Sequence, residues 1–143
     1  MALLSQVLNT QVSIYFKMKD FKKYYHISAT PEEIYLALTN PLTLHLWTGA
    51  EAVMSTEEGS EFSLWDDSIS GKNIGFVENK KIIQQWHFGD QAEDSIVTIT
   101  LHPDKNGTSV ELRHTNIPDE DYDDIVEGWN DSYFGALQEF YEE

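Results

Sequence analysis

Cysteine is absent from this sequence, which excludes a disulfide framework and a thiolate metal site. Cationic residues are few: nine Lys and Arg stand against 25 Asp and Glu, and the formal net charge is −16. Nucleic acids and anionic membrane surfaces are bound through clustered cations. We therefore expect neither nucleic acid nor a membrane as a partner.

Long apolar runs are also missing. The first 17 residues have no basic segment at their start, and Gln6, Asn9, Thr10 and Gln11 interrupt their apolar stretch. A signal peptide or a transmembrane helix needs a continuous apolar segment. We predict neither, and we expect a cytoplasmic protein.

The sequence motifs of several catalytic mechanisms do not occur. There is no Gly-x-Ser-x-Gly, and Ser70-Gly71-Lys72 lacks the other residues of a phosphate-binding loop. The five histidines never form a close pair at metal-ligand spacing. We therefore expect no cofactor and no metal, and we favour a protein that is not an enzyme.

The acidic run at residues 119–124 is the one candidate for a metal site. A calcium-binding loop that starts at Asp119 would need Gly where Asp124 stands and Glu where Asn130 stands. Negative charge at the start of a helix is also favoured by the helix dipole. We interpret the run as a solvated helix start.

The residues that are present are those of one folded domain. Hydrophobic residues make up 41% of the 143 residues and aromatic residues 13%, which is typical of a chain with a packed core. Residues 1–17 carry no acidic residue, and the patterned sequence begins at Met18. We interpret residues 1–17 as an N-terminal extension, with an added strand or short helix as the alternative, and residues 18–143 as the domain.

Two short helices are predicted near the start of the domain. Thr30 can cap a helix that begins at Pro31, and Glu33 completes a capping box. The Asn-Pro pair at residues 40–41 ends this helix, because proline disfavours helical backbone in the preceding residue. A second short helix is expected to end at Gly49.

Strands are predicted around these helices. Alternating apolar positions and turn-forming clusters indicate strands at residues 19–27, 51–54, 61–65, 69–77, 82–88, 96–102 and 108–114. The Asn106-Gly107 pair favours a tight hairpin between the last two. Short connections favour antiparallel neighbours, so we predict a curved antiparallel sheet of six or seven strands.

A long helix is predicted at the C-terminal end, beginning at Pro118 and Asp119. Its apolar residues recur at three- and four-residue steps, the pattern of a helix with one buried face. They are Tyr122, Val126, Trp129, Tyr133, Ala136, Leu137 and Phe140. The expected fold class is therefore α+β, with the helix packed on the sheet.

An ordered set of motifs resembles a known family. The motifs are SATPEEIY (28–35), LWTG (46–49), GSEFSLW (59–65), SG (70–71), IIQQW (82–86), GT (107–108) and GW (128–129). With the element order, they resemble the activator of heat-shock protein 90 ATPase homologue 1-like domain, within the START-like, birch-pollen-allergen-like (SRPBCC) superfamily. The resemblance covers residues 18–143 and implies the helix-grip fold.

The functions that the resemblance implies belong to several classes. In eukaryotic activators such a domain accompanies a separate chaperone-binding domain. The wider superfamily binds lipids, hormones and polyketides between the sheet and the long helix. Because one fold serves carriers, cyclases and co-chaperone modules, the fold does not choose among them.

The candidate ligand-binding residues are the side chains expected between sheet and helix, with Gln84 and His114 as polar groups that orient a ligand. The set is Phe62, Leu64, Gln84, Trp86, Phe88, Val110, Leu112, His114, Trp129, Tyr133 and Phe140. The same residues can instead fill the interior as core. The sequence does not distinguish a cavity from a packed interior.

Three functions remain as hypotheses. The first is a non-catalytic domain that binds an apolar small molecule or lipid in this cavity. The second is a protein-interaction module that regulates a chaperone ATPase, with Asp121, Asp123 and Asp124 in its acidic surface. The third is an enzyme of the cyclase or hydrolase type, which would require His114 to meet a buried carboxylate.

Overall fold

The computed structural model describes residues 17–89 and 94–142. The predicted N-terminal extension lies outside the described residues, except for Lys17. In chain order the strands and helices are β1 (Met18–Ile27), α1 (Pro31–Thr39), α2 (Pro41–Thr48), β2 (Glu61–Leu64), β3 (Ile69–Val77), β4 (Lys81–Trp86), β5 (Ser95–Asp104), β6 (Gly107–Pro118), α3 (Tyr122–Glu127) and α4 (Phe134–Tyr141). A 3₁₀ turn, Asp119–Asp121, precedes α3, and a π-helical turn, Gly128–Tyr133, joins α3 to α4.

The six strands form one antiparallel sheet in the order β1-β6-β5-β4-β3-β2. Strands β2 to β6 are a meander, and β1 closes the sheet beside β6. The α+β helix-grip prediction is confirmed. The hairpin before β6 is also confirmed, although its turn is Lys105-Asn106, and Asp104 pairs with Gly107.

The predicted strand at residues 51–54 is wrong. Only Val53 pairs with the sheet, through reciprocal backbone hydrogen bonds with Ser63 of 2.9 and 3.0 Å. Gly59 and Ser60 instead bond to the backbone of Asn73 and so continue the pairing of β2 with β3, on the other side of β2 from Val53. One rung is therefore all that this segment adds to β2.

The ends of α1 and α2 follow the predicted caps. The Thr30 hydroxyl accepts from the Glu33 backbone N–H at 3.2 Å, and the Glu33 carboxylate accepts from the Thr30 N–H at 3.4 Å. The Asn40 side chain caps α2, and Gly49 ends it with a φ of 78°. Trp47 of α2 packs against Tyr133, with ring centroids 5.2 Å apart.

The C-terminal helix begins later than predicted, because Pro118 still belongs to β6. The π-helical turn then adds a residue to one turn, so the face that contacts the sheet shifts along the helix. Phe134 is fully buried beside Tyr133, whereas Phe140 is 41% exposed. The predicted inward position of Phe140 is therefore wrong, and Phe134 was missed.

Gly135 is required by the π-helical turn. A Cβ atom at this position would collide with the carbonyl oxygen of Asn130, which the wider turn pushes toward it. The helix keeps its buried face through Trp129, Tyr133 and Leu137, as the spacing predicted. The core lies between this face, α1 and α2, and the inner face of the sheet.

Candidate functional site

Strand alternation places most of the predicted binding residues between sheet and helix. Nine of the eleven are at most 4% exposed: Phe62, Leu64, Gln84, Trp86, Val110, Leu112, His114, Trp129 and Tyr133. Phe88 is half-buried against this core. Phe140 lies outside the group.

The aromatic rings of this group pack against one another. Trp86 and Trp129 are stacked with centroids 4.7 Å apart and an interplanar angle of 28°, and Phe134 stacks on Trp129 at 5.6 Å. Tyr133 contacts Trp129 at 4.7 Å. These contacts favour the alternative in which the aromatic side chains fill the space between sheet and helix as core.

His114 is neutral and has a defined tautomer. The Trp129 indole N–H donates to His114 Nδ1 at 3.0 Å, so the ring proton lies on Nε2, which donates to the Ser95 hydroxyl at 2.8 Å. The Ser95 hydroxyl donates in turn to the Thr115 carbonyl oxygen at 3.1 Å. Burial lowers the pKa of His114 to about 3.

The distance between Ser95 and His114 is that of a nucleophile and its general base. In this pair, however, the histidine donates the hydrogen bond and the serine oxygen accepts it. An activating histidine accepts the serine proton, whereas His114 Nε2 already carries a proton. The partners of His114 are a tryptophan and a serine, not the carboxylate that the enzyme hypothesis required. The pair therefore has the arrangement of a structural hydrogen-bond network.

Gln84 is also engaged internally. It accepts from the Trp86 indole N–H at 3.1 Å and donates to the Asn73 side chain at 3.0 Å. Asn73 donates to Ser55 and Ser60 at 3.1 Å. The network ties β3 and β4 to the loop before β2, and sequence reasoning missed both Asn73 and Ser95 as its members.

A cleft opens where this packed interior reaches the surface, between the C-terminal helix and the β2–β3 turn. It has a volume of about 280 Å³ and is open to solvent on one side. We call it the Trp cleft; its lining is Trp65, Ser68, Ile69, Trp86, Asp124, Ile125, Gly128, Trp129 and Ser132. Trp86 and Trp129 are the members of this lining that the sequence predicted to bind a ligand, and Asp124 was predicted in the acidic interaction surface.

The β2–β3 turn positions the outer wall of the Trp cleft. Asp66 and Asp67 have φ values of 52° and 68°, and the Ser68 N–H donates to the Trp65 carbonyl at 3.1 Å. Residues 65–68 therefore form the turn between the last strand pair, Leu64 and Ile69, with left-handed backbone at Asp66 and Asp67. Trp65 itself has a φ of 50°, an uncommon conformation for a bulky residue that is often found at functional sites.

The opposite wall is the C-terminal helix at its π-helical turn, a feature that is frequent at functional sites. A Cβ atom at Gly128 would meet nothing within 4 Å, so the Trp cleft extends to the helix backbone. The ionisable group in the lining is the Asp124 carboxylate, and the nine residues include no Lys, Arg or His. The cleft is therefore apolar on its walls and acidic on its rim.

The acidic run at residues 119–124 does not converge on one point. Asp119 forms an ion pair with Lys19 at 3.1 Å, while Asp124 faces the Trp cleft. Within residues 17–89 and 94–142, no three His, Asp or Glu side chains are grouped as metal ligands. Within the same ranges no helix has the length and hydropathy needed to cross a membrane.

Comparison with known proteins identifies the family. The family model "Activator of Hsp90 ATPase homolog 1-like protein" matches residues 28–142. An activator of 90 kDa heat shock protein ATPase homologue from Dictyostelium discoideum is 32% identical over 114 residues, which are 78% of this chain and 30% of that protein. Homologue 2 from Mus musculus is 25% identical over 111 residues, which are 76% of this chain and 34% of that protein. The chain spans about a third of the length of these relatives.

Solved structures agree with this result. A heat-shock protein 90 activator from Plasmodium falciparum superimposes with a TM-score of 0.78 at 25% identity, covering 86% of this chain and 95% of that one. CalU16 from Micromonospora echinospora shares the fold, with a TM-score of 0.74 at 22% identity, covering 87% of this chain and 66% of that one. With the family model matching most of the chain, these findings show that the protein belongs to the activator of heat-shock protein 90 ATPase homologue 1-like family of the SRPBCC superfamily.

Proposed function

We propose that this domain binds a small apolar molecule in the Trp cleft, without covalent chemistry. The observation that carries the proposal is the lining itself, in which three tryptophans and two isoleucines surround an opening of about 280 Å³. Ligand sites are typically concave, mostly apolar and provided with a few polar groups. Because the interior behind Trp86 and Trp129 is packed, the ligand is small, of one or two rings, rather than a long-chain lipid.

The test uses 2-naphthol as a neutral aromatic probe and follows backbone amide shifts by NMR. We expect saturable shifts centred on Ser68, Gly128 and Ser132. The variant Gly128→Leu adds a side chain at a lining position where a Cβ atom would meet nothing within 4 Å, and it is expected to weaken binding at least about tenfold. Gly75→Leu, at a position that also has free space in β3, is the matched control and should leave the affinity unchanged.

Two results would contradict the proposal. One is binding to Gly128→Leu with unchanged affinity, which would place the probe elsewhere. The other is a response that does not saturate, or that spreads over residues outside the cleft.

A second candidate is regulation of a chaperone ATPase, which the 32% identity to an activator homologue favours. We propose that the domain engages a chaperone of the heat-shock protein 90 type through the acidic surface that its net charge of −16 provides. The match covers a third of the activator relatives. The proposal therefore concerns a contribution of this domain and not the activity of a whole activator.

The test is the steady-state ATPase rate of a purified chaperone of this type at increasing concentrations of the domain. We expect a saturable rate change that weakens with added salt. The double variant Asp121→Asn with Asp123→Asn should raise the half-maximal concentration at least about threefold, because exposed ion pairs contribute about 0.2–1 kcal/mol each. Glu57→Gln with Glu58→Gln, in the loop before β2, is the control. An unchanged ATPase rate at saturating domain would refute this function.

A further inference from the structure

We propose that the ligand of the Trp cleft is an organic cation, an alkylammonium group carried on a small apolar body. This inference rests on the binding function proposed above and names the chemical class that the site selects. Its basis is the combination of charge, aromatic lining and hydroxyl positions in the cleft.

Charge excludes an acidic ligand. The lining has the carboxylate of Asp124 and no cationic side chain. Asp66 and Asp67 lie in the turn that forms the outer wall, and both are exposed. A fatty acid or a phosphate ester would bring its anion to this rim without a partner and against a net charge of −16. A cation would instead be attracted to it.

The aromatic lining suits the same cation. Tryptophan is the side chain whose ring face attracts cations most strongly, within about 6 Å of the ring. Trp65 is half-buried, and its rings meet Trp47 and Tyr133 at 88° and 66° rather than in parallel stacks. Trp86 and Trp129 are stacked on each other and form the floor. Trp65 in the outer wall is therefore the ring assigned to the cation, since it lines the cleft and is stacked in parallel with neither Trp47 nor Tyr133, and the floor supplies apolar contact.

The remaining polar groups are compatible with an ammonium ion. Ser68 and Ser132 belong to the lining, and the lone pairs of a hydroxyl oxygen attract a cation whether or not it carries an N–H donor. Asp124 is exposed, so its carboxylate stands at the mouth while the rings lie below. This order places the charged end of a ligand outward and its apolar body inward.

The test compares three probes of similar size by titration calorimetry at low ionic strength. They are benzyltrimethylammonium, its uncharged carbon isostere neopentylbenzene, and phenylacetate. We expect the cation to bind at least about tenfold more tightly than the neutral isostere, and phenylacetate to show no binding. Asp124→Asn should weaken binding of the cation about threefold to fivefold, the upper part of the range for an exposed ion pair, and leave the affinity for the neutral probe unchanged. The matched control is Asp104→Asn, an exposed residue of the β5–β6 hairpin outside the lining.

The outcomes separate this inference from the function on which it rests. Equal affinities for the cation and the neutral isostere, or tighter binding of phenylacetate, would overturn the cation inference and leave binding in the cleft intact. If benzyltrimethylammonium binds Gly128→Leu as tightly as it binds the parent, the cation lies outside the Trp cleft, and this result also overturns the inference. If neither the three probes nor 2-naphthol bind, both proposals fail together.

Discussion

Replacing Trp129 by alanine is expected to lower the free energy of unfolding by about 3–5 kcal/mol, the range for removing a large buried aromatic side chain. Trp129 is 1% exposed, stacks on Trp86 and Phe134, and donates its indole hydrogen to His114. The alanine leaves a cavity and also leaves Nδ1 of His114 without its donor. The measurement is urea unfolding followed by far-ultraviolet circular dichroism, which does not depend on the deleted indole.

Two further variants make this prediction specific. Trp129→Phe keeps a ring but removes the N–H. It should therefore lower the free energy of unfolding by less than Trp129→Ala does, by about 1–3 kcal/mol. Ile74→Ala changes a side chain that is 42% exposed and should stay within about 0.5 kcal/mol of the parent. A loss below about 1 kcal/mol for Trp129→Ala would show that the aromatic stack is not the core of the domain.

Acid is expected to destabilise the folded domain through His114. Burial lowers the pKa of His114 from its ordinary 6.5 to about 3 in the folded state. Between pH 6.5 and 3 the unfolded chain therefore binds a proton at this residue that the folded chain does not bind. The contribution of neutral His114 to the free energy of unfolding is fully present above pH 6.5. It falls as the pH drops toward 3, by roughly 1.4 kcal/mol per pH unit.

The variant His114→Asn isolates this contribution. Asparagine retains an acceptor for the Trp129 indole but does not titrate in this range. Between pH 7 and pH 4.5, the free energy of unfolding of the parent should fall by about 2–3 kcal/mol more than that of His114→Asn. The 25 carboxylates change charge in both proteins, so the difference between the two curves belongs to His114. Val110→Ala, a buried variant without a titratable group, controls for general destabilisation. Parallel curves for parent and His114→Asn would contradict the prediction.

Local sequence signals predicted the element order well because each depends on a few neighbouring residues. Thr30 with Glu33, and Asn40 before Pro41, fix helix ends through hydrogen bonds within one turn. Alternation in β4 predicted the buried face of Gln84 and Trp86. The strand at residues 51–54 failed because pairing depends on what the neighbouring strand offers; that neighbour, β2, has only four residues and pairs with Val53 alone through Ser63.

The candidate site was predicted less completely than the fold. Gln84 and His114 were expected to orient a ligand, but their polar atoms bond to other side chains of the interior. Apart from Trp86, which is two residues from Gln84, these partners are distant in sequence: Asn73, Ser95 and Trp129. Trp65 was missed because its position depends on left-handed backbone in a four-residue turn. The Asp-Asp-Ser that follows Trp65 was the available signal, since aspartate tolerates that conformation better than most residues.

By itself, the sequence determined the family through an ordered set of motifs. It also determined the α+β order of elements and the buried helix positions Trp129, Tyr133 and Leu137, because these depend on spacing and local hydrogen bonds. Only the tertiary structure decided whether the aromatic set encloses a cavity or packs as core, since ring stacking depends on positions brought together from β4, β6 and the helix. It also decided that Phe134 replaces Phe140 on the inner face, because the π-helical turn carries one more residue than helical periodicity assumes.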